Sequence, residues 1–132
     1  MITTNWNWSD AWLLMSIQSV DKKGTDLRGI ISTGDYINHS IFNLDELKNG
    51  FEKLIAIDYV RIDDNRYFTT KTFTRDYKKL KTYPKAMLKA VDQLHKLLQT
   101  KEIDESKLEP LSDDIISESI LKNAYEEYMK GF

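Results

Sequence analysis

Cationic side chains are the residues of this sequence best suited to a chemical role, and they concentrate between residues 71 and 101. This stretch holds nine basic and two acidic residues, whereas residues 1–70 carry a net charge of −3 and residues 102–132 a net charge of −6. The whole chain has a net charge of −2, which points to no particular partner. Two interpretations stay open. The basic stretch pairs with the acidic parts within the fold or between subunits, or it forms a basic docking surface.

The first part of the basic stretch has the spacing of a helix with one apolar face. Phe73, Tyr77 and Leu80 are four and three residues apart, which predicts a helix over 72–81. The cations in and beside this helix are Lys71, Arg75, Lys78, Lys79 and Lys81. Either the apolar residues dock the helix and the lysines form its solvated face, or the cations contact a phosphate backbone.

The other polar residues lack the spacing that catalysis or metal binding requires. Two histidines, His39 and His95, form no His-Glu-x-x-His pattern. His39 lies in the connector next to Asp35 and Tyr36, where it either ties a buried loop to backbone carbonyls, or forms a hydrogen-bonded switch or lines a small pocket. Asp63-Asp64-Asn65 lacks the later glycine and glutamate of a calcium loop, so it predicts a turn. There is no cysteine and no glycine-rich phosphate loop. We therefore expect that the protein is not an enzyme and that it binds no metal and no cofactor. No pattern in the sequence identifies a small-molecule ligand.

The length and the apolar pattern indicate one domain that does not enter a membrane. The chain has 132 residues, within the prior of about 100–200 residues per domain. Its first residues, MITTNWNWSD, have neither the basic region nor the cleavage site of a signal peptide. No apolar run approaches the ~18–20 residues that cross a bilayer. A cytoplasmic location without a membrane partner is expected.

Apolar spacing and capping residues predict three helices and a hairpin in the first 70 residues. The helices cover about 11–20, 26–33 and 44–56, with Gly34 ending the second and a connector over 34–42. Asn43 followed by Glu46 predicts a capping box for the third helix, and Gly50 within it indicates a close approach by another helix. Residues 58–62 and 66–69 read as two short strands.

The second half is predicted to be helical, with helices over 72–81 and about 84–100 and a last helix capped by Ser112. The fold class is thus mainly α with one small β-hairpin. Residues 1–70 form one unit, and residues 71–132 form a helical extension that packs on it. Trp6 and Trp8, ahead of the first helix, either pack on the C-terminal helices or fill a partner's groove.

The sequence of residues 43–70, NLDELKNGFEKLIAIDYVRIDDNRYFTT, resembles the third helix and the wing hairpin of a winged helix-turn-helix domain. The segment GDYINHSIF is also similar to sequences of uncharacterised bacterial proteins of this type. The resemblance covers about half the chain, residues ~9–70. It implies a DNA-binding, transcriptional regulator-like protein in which the third helix enters the major groove and the wing touches the backbone or the minor groove.

Carried onto this chain, the resemblance implies a set of DNA-contacting residues in the third helix and the wing. They are Lys48, Asn49, Lys53, Arg61 and Arg66, to which the basic stretch after the wing adds its own cations. The expected exposed positions of the third helix, Asp45, Glu46, Lys48, Asn49, Glu52 and Lys53, carry a net charge of −1. A major-groove helix normally brings positive charge. A winged-helix protein-interaction or assembly module that does not bind DNA is therefore the alternative.

The last helix has a wide aromatic and apolar face at its C-terminal end. Its residues Tyr125, Tyr128, Met129 and Phe132 either cover the protein's own core or form half of a dimer interface. Winged-helix proteins often dimerise through added helices, so the resemblance implies a homodimer.

Overall fold

The computed structural model describes residues 5–18, 23–80 and 86–131. Within these ranges it contains six α-helices and one two-stranded antiparallel hairpin, which confirms the predicted fold class. The elements are α1 (Trp8–Gln18), α2 (Leu27–Asn38), α3 (Leu44–Ala56), β1 (Val60–Asp63), β2 (Arg66–Thr69), α4 (Lys71–Lys78), α5 (Met87–Gln99) and α6 (Glu118–Met129), with a short 3₁₀ turn at Glu105–Lys107. No helix in the described part of the chain is both long and apolar enough to cross a membrane.

The first helix, α1, is the centre of the core. Every residue from Asp10 to Ile17 is buried, because α2, α3, α5 and β2 all pack around it. The sequence WSDAWLLMSIQ explains this position, since a helix that is apolar on nearly every side must be covered on nearly every side. The predicted cap at Ser9 or Asp10 is wrong, because the helix begins earlier, at Trp8.

The second helix continues through the glycine at which it was predicted to end. Gly34 lies inside α2, which ends at His39 in the left-handed conformation, with φ of 53°. A Cβ at Gly34 would lie 2.4 Å from the Phe42 ring, and the Trp12 Nε1–H donates to the Gly34 carbonyl over 2.9 Å. These tertiary contacts outweigh the ~1 kcal/mol that glycine costs inside a helix. His39 is exposed, so its predicted place in a buried connector is also wrong.

The third helix matches its prediction, and the hairpin is present, with its first strand at Val60–Asp63 rather than at 58–62. The capping box is present, with Asn43 and Glu46 each accepting from the other's backbone N–H over 2.8 and 2.9 Å. The predicted close approach at Gly50 is confirmed by Leu13 of α1, which a Cβ there would meet at 2.7 Å. Asp64 and Asn65 both have positive φ, as the tight turn between two paired strands requires.

The order of these elements is compatible with a winged-helix layout. Thr25, between α1 and α2, forms an isolated antiparallel bridge with Tyr67 of β2. At this one residue, a third segment of backbone pairs with the two-stranded hairpin. The hairpin's inner face reaches the core through Tyr67, which stacks on Phe51 of α3 at 4.7 Å between ring centroids. The wing-like hairpin is therefore fixed to α3 and to the start of α2.

The C-terminal helices pack back on the first unit. The Trp6 indole N–H donates to the Lys101 carbonyl over 3.0 Å, and that of Trp8 donates to Asp92 of α5 over 2.8 Å. This confirms that both tryptophans pack on the C-terminal part. The last helix is capped by Ser117 rather than by Ser112, because residues 112–116 form a tight turn before it.

Candidate nucleic-acid interface

The outward face of α3 is acidic. Its exposed or half-buried charged residues are Asp45, Glu46, Lys48 and Glu52, with the neutral Asn49 beside them. One cation against three carboxylates gives this face a net charge of −2. The N-terminal turn, which would lead the entry into a groove, carries Asp45 and Glu46.

Lys53 is buried, so its predicted exposure on this face is wrong. The residue is 3% exposed, and its Nζ donates to the Asp10 carboxylate in a short ion pair and to the Asn5 carbonyl over 3.0 Å. The same ammonium lies 5.6 Å from the centroid of the Trp6 ring. Lys53 faces inward because α3 turns this side towards α1, where Gly50 lets the two helices approach. In this arrangement the Lys53 ammonium ties α3 to α1 and is engaged within the core.

Two further candidate cations of the N-terminal unit are already engaged within the chain. Lys48 forms an ion pair with Asp113, with 3.3 Å between Nζ and Oδ1. Arg66 donates to the carbonyls of Lys23 and Gly24 over 2.9 and 2.8 Å. Arg61, on β1, is exposed and forms no ion pair with another described residue.

Four exposed cations lie together on α4 and at its C-cap. We call Lys71, Arg75, Lys78 and Lys79 the cationic face of α4; all four are exposed. Lys71, Arg75 and Lys78 lie on one side of the eight-residue helix, and Lys79 follows them as its C-cap residue. Thr70 caps that helix by accepting from the Phe73 N–H over 3.2 Å. Lys81 was predicted to belong to this group and lies outside the described residues.

Lys71 and Arg61 line one concave surface. The cleft has a volume of about 970 Å³ and lies between the end of α1, the outer side of the hairpin and the first turn of α4. Thr69, Thr72 and Thr74 add hydroxyl groups to it, and Asp58 adds a carboxylate. The Thr72 and Thr74 hydroxyls already donate to Asp58 and to the Thr70 carbonyl, over 2.9 and 3.1 Å. The cleft therefore offers phosphate oxygens mainly its two cations.

The inner side of α4 is held by an aromatic contact and a buried carboxylate. Phe73 is fully buried and meets the Tyr59 ring edge-on at 5.2 Å. The Tyr59 hydroxyl donates to Asp76 over 2.6 Å, and Lys101 donates to the same carboxylate over 3.0 Å. The hydrogen bond from Tyr59, together with Lys101, holds the pKa of Asp76 below its usual value, although burial opposes this. Burial and the Asp76 carboxylate raise the pKa of Tyr59.

Asp76 gives a testable acid dependence. Because its pKa is lower in the folded than in the unfolded protein, its ionised form stabilises the fold above about pH 4, and this contribution is lost as the pH falls through the folded pKa. We expect the stability advantage of the wild type over Asp76→Asn to shrink between about pH 5 and pH 2 in urea denaturation. Tyr59→Phe, which keeps the carboxylate and removes its main donor, should show a weaker acid dependence than the wild type. A constant difference between wild type and Asp76→Asn across this range would contradict the assignment.

The apolar residues of α6 divide between the core and the surface. Tyr125 is 37% exposed and Met129 is 45% exposed. Tyr128 is half-buried and donates to Asp35 of α2 over 2.6 Å, so it holds α6 on its own chain. Phe132, the fourth predicted interface residue, lies outside the described residues.

The remaining candidates for chemistry form no reactive cluster. His95 lies 3.2 Å from the Trp6 carbonyl through its Nε2 and helps to hold the N-terminal segment on α5. Across the described ranges, no three histidine or acidic side chains come together as a metal site.

Comparisons with protein families, with curated proteins and with solved structures return no match. The class of the protein therefore rests on its own architecture, which is a mainly helical fold with a small hairpin, compatible with a winged-helix layout.

Proposed function

We propose that this chain is a non-enzymatic winged-helix protein of the DNA-binding, regulator-like type, and that it binds double-stranded DNA mainly through the cationic face of α4. One observation carries the proposal. Lys71, Lys78 and Lys79 are exposed on a helix that directly follows the hairpin, and none has an acidic partner among the described residues. Unpaired lysines held side by side on a folded element suit a phosphate backbone.

The winged-helix interpretation is supported by the element order and by the bridge between Thr25 and Tyr67. In such a domain the third helix reads base edges. Here the outward face of α3 is acidic, and Lys48 is engaged with Asp113. The proposed contact is therefore to phosphates, which makes the binding tolerant of sequence and dependent on salt. A cytoplasmic location, which gives access to DNA, is part of this proposal.

The proposal has a quantitative signature in salt. Each phosphate that a cation neutralises contributes about 0.9 to the slope of log affinity against log salt concentration. Four contacts from the cationic face of α4 would give a slope near −3.6, which corresponds to an affinity loss of about 150-fold between 50 and 200 mM salt.

The test is fluorescence anisotropy of mixed duplex DNA fragments at these two salt concentrations. We expect Lys71→Ala/Lys78→Ala to flatten the salt slope by about 1.8, because two phosphate contacts are lost. Lys89→Ala/Lys96→Ala is the matched control, since it removes two exposed lysines with the same spacing of seven from α5. The control should keep the wild-type slope to within about half of one contact.

Two results would contradict the proposal. Equal effects of the two double variants would show that total charge, rather than the cationic face of α4, governs the affinity. No binding by the wild type at 50 mM salt would exclude DNA as the ligand and leave the second candidate function.

That second candidate is a protein-interaction module without DNA binding, and exposed apolar groups on α2 and α6 favour it. Tyr36 is 77% exposed, and a shallow groove of about 400 Å³ is lined mainly by Ile41, Leu44, Leu121 and Tyr125. Exposed apolar residues and apolar grooves are typical of protein contacts. The homodimer that the sequence predicts stays a prediction, with Tyr125 and Met129 as the accessible members of its proposed interface.

A further inference from the structure

The acidic segment, which we define as residues 109–118, lies beside both α3 and the hairpin turn. Its sequence EPLSDDIISE holds four carboxylates and no cation. Asp113 pairs with Lys48 of α3. Asp114 and Ile115 line a cleft of about 550 Å³ together with Asn65 of the hairpin turn and Arg28 of α2. The segment thus contacts α3 through Asp113 and shares a cleft with the hairpin turn. These are the two elements that a winged helix presents to DNA.

The position of the segment is fixed by packing. Ile116 is fully buried in the core, and its backbone N–H donates to the Ser112 carbonyl in the turn before α6. Ser117 then caps α6, which packs along α2. The segment is therefore a folded part of the domain that places its carboxylates at a defined surface.

We propose that the acidic segment is an autoinhibitory element that competes with DNA phosphates for Lys48 and repels DNA from α3. This inference rests on the proposed function and describes the regulation of the same surface. While the acidic segment is in this position, DNA binds through the cationic face of α4. Neutralising the segment releases Lys48, which then joins the exposed Asn49 beside it. These are the two residues of α3 suited to base edges or phosphates.

The strength of the contact suits a reversible device. The side chains of Lys48 and Asp113 are 30% and 84% exposed, and ion pairs this accessible contribute about 0–1 kcal/mol. Neutralising Asp113 can therefore free Lys48 without unfolding the segment, which Ile116 continues to anchor. The inhibition is consequently electrostatic, and removing charge without changing shape should relieve it.

The experiment compares Asp113→Asn/Asp114→Asn with Glu102→Gln/Glu105→Gln in the DNA anisotropy assay. Both variants remove two exposed carboxylates from the acidic C-terminal part, so the net charge of the protein changes equally. We expect the asparagine variant to bind about threefold more tightly than the control at 50 mM salt. Its salt slope should be steeper by about 0.9, because Lys48 adds one phosphate contact.

Lys48→Ala in the asparagine background should remove the gain, because the released cation is then absent. Equal affinities and slopes for the asparagine variant and its control would overturn the autoinhibition and leave the proposed function standing if Lys71→Ala/Lys78→Ala still flattens the slope. No DNA binding by any of these proteins at 50 mM salt would overturn both.

Discussion

Replacing Lys53 with methionine is expected to lower the free energy of unfolding by about 3–5 kcal/mol, because the change leaves a buried carboxylate without its counter-ion. Asp10 is 1% exposed, and its other hydrogen bond is from the Asn7 backbone N–H over 2.7 Å. Methionine keeps most of the lysine stem, so the loss reports the missing charge rather than a cavity. Urea denaturation at pH 7 measures the effect.

Lys48→Met is the matched control for this prediction. It makes the same substitution on the same helix at an ion pair that is accessible to water, and it should cost less than about 1 kcal/mol. In Asp10→Asn/Lys53→Met the asparagine still accepts from Asn7 and no buried charge remains, so part of the lost stability should return. Equal losses for Lys53→Met and Lys48→Met would contradict the structural role of Lys53.

Local chemistry explains the parts of the fold that the sequence predicted well. These parts depend on residues that are close in sequence, so the sequence pattern predicts them. They are the capping box at Asn43, the apolar period of α3 and the polar residues of the hairpin turn. Gly50 also carried a correct signal, because a glycine inside a strongly periodic helix usually has a packing reason.

The caps predicted at Ser9 or Asp10 and at Ser112 are local errors of helix boundary. The errors at Gly34 and Lys53 come from contacts with residues outside their own helix. The low helix propensity of glycine predicts a helix end at Gly34. Contacts of Gly34 with Phe42 and Trp12 explain why α2 continues through it. Lys53 reads as exposed because lysine usually is, and its partner Asp10 is 43 positions away. No local pattern connects either residue to its partner, so sequence reasoning had no signal for them.

In the candidate site, too, the sequence predicts features that depend on local spacing and gives no indication of a long-range pairing. The cations of α4 could be found from their spacing beside Phe73 and Tyr77, and the structure shows them exposed. The pairing of Lys48 with Asp113 spans 65 positions and was not foreseen. The basic and acidic stretches were expected to pair with each other or to form a docking surface. Among the described residues, no ion pair joins 71–101 to 102–131.

Replacing Phe73 with alanine is expected to cost about 3–5 kcal/mol of stability and to release α4 from the hairpin. Phe73 and Asp76 are the buried residues of this helix, and Phe73 contacts both Tyr59 and Tyr77 edge-on. Urea denaturation measures the global loss, and amide hydrogen exchange over 71–78 measures the release. Phe73→Leu, which keeps more of the buried volume, should lose less stability and retain slow exchange.

The consequence for binding follows from the length of α4. A helix of eight residues is too short to persist alone, since isolated helices below ~12–15 residues are marginal in water. The regular spacing of Lys71, Arg75 and Lys78 therefore depends on Phe73. DNA affinity at 50 mM salt should fall for Phe73→Ala and stay near the wild-type value for Phe73→Leu, although neither change touches a cation. Slow exchange over 71–78 in Phe73→Ala, with a stability loss below about 1 kcal/mol, would show that other contacts hold the cationic face in place.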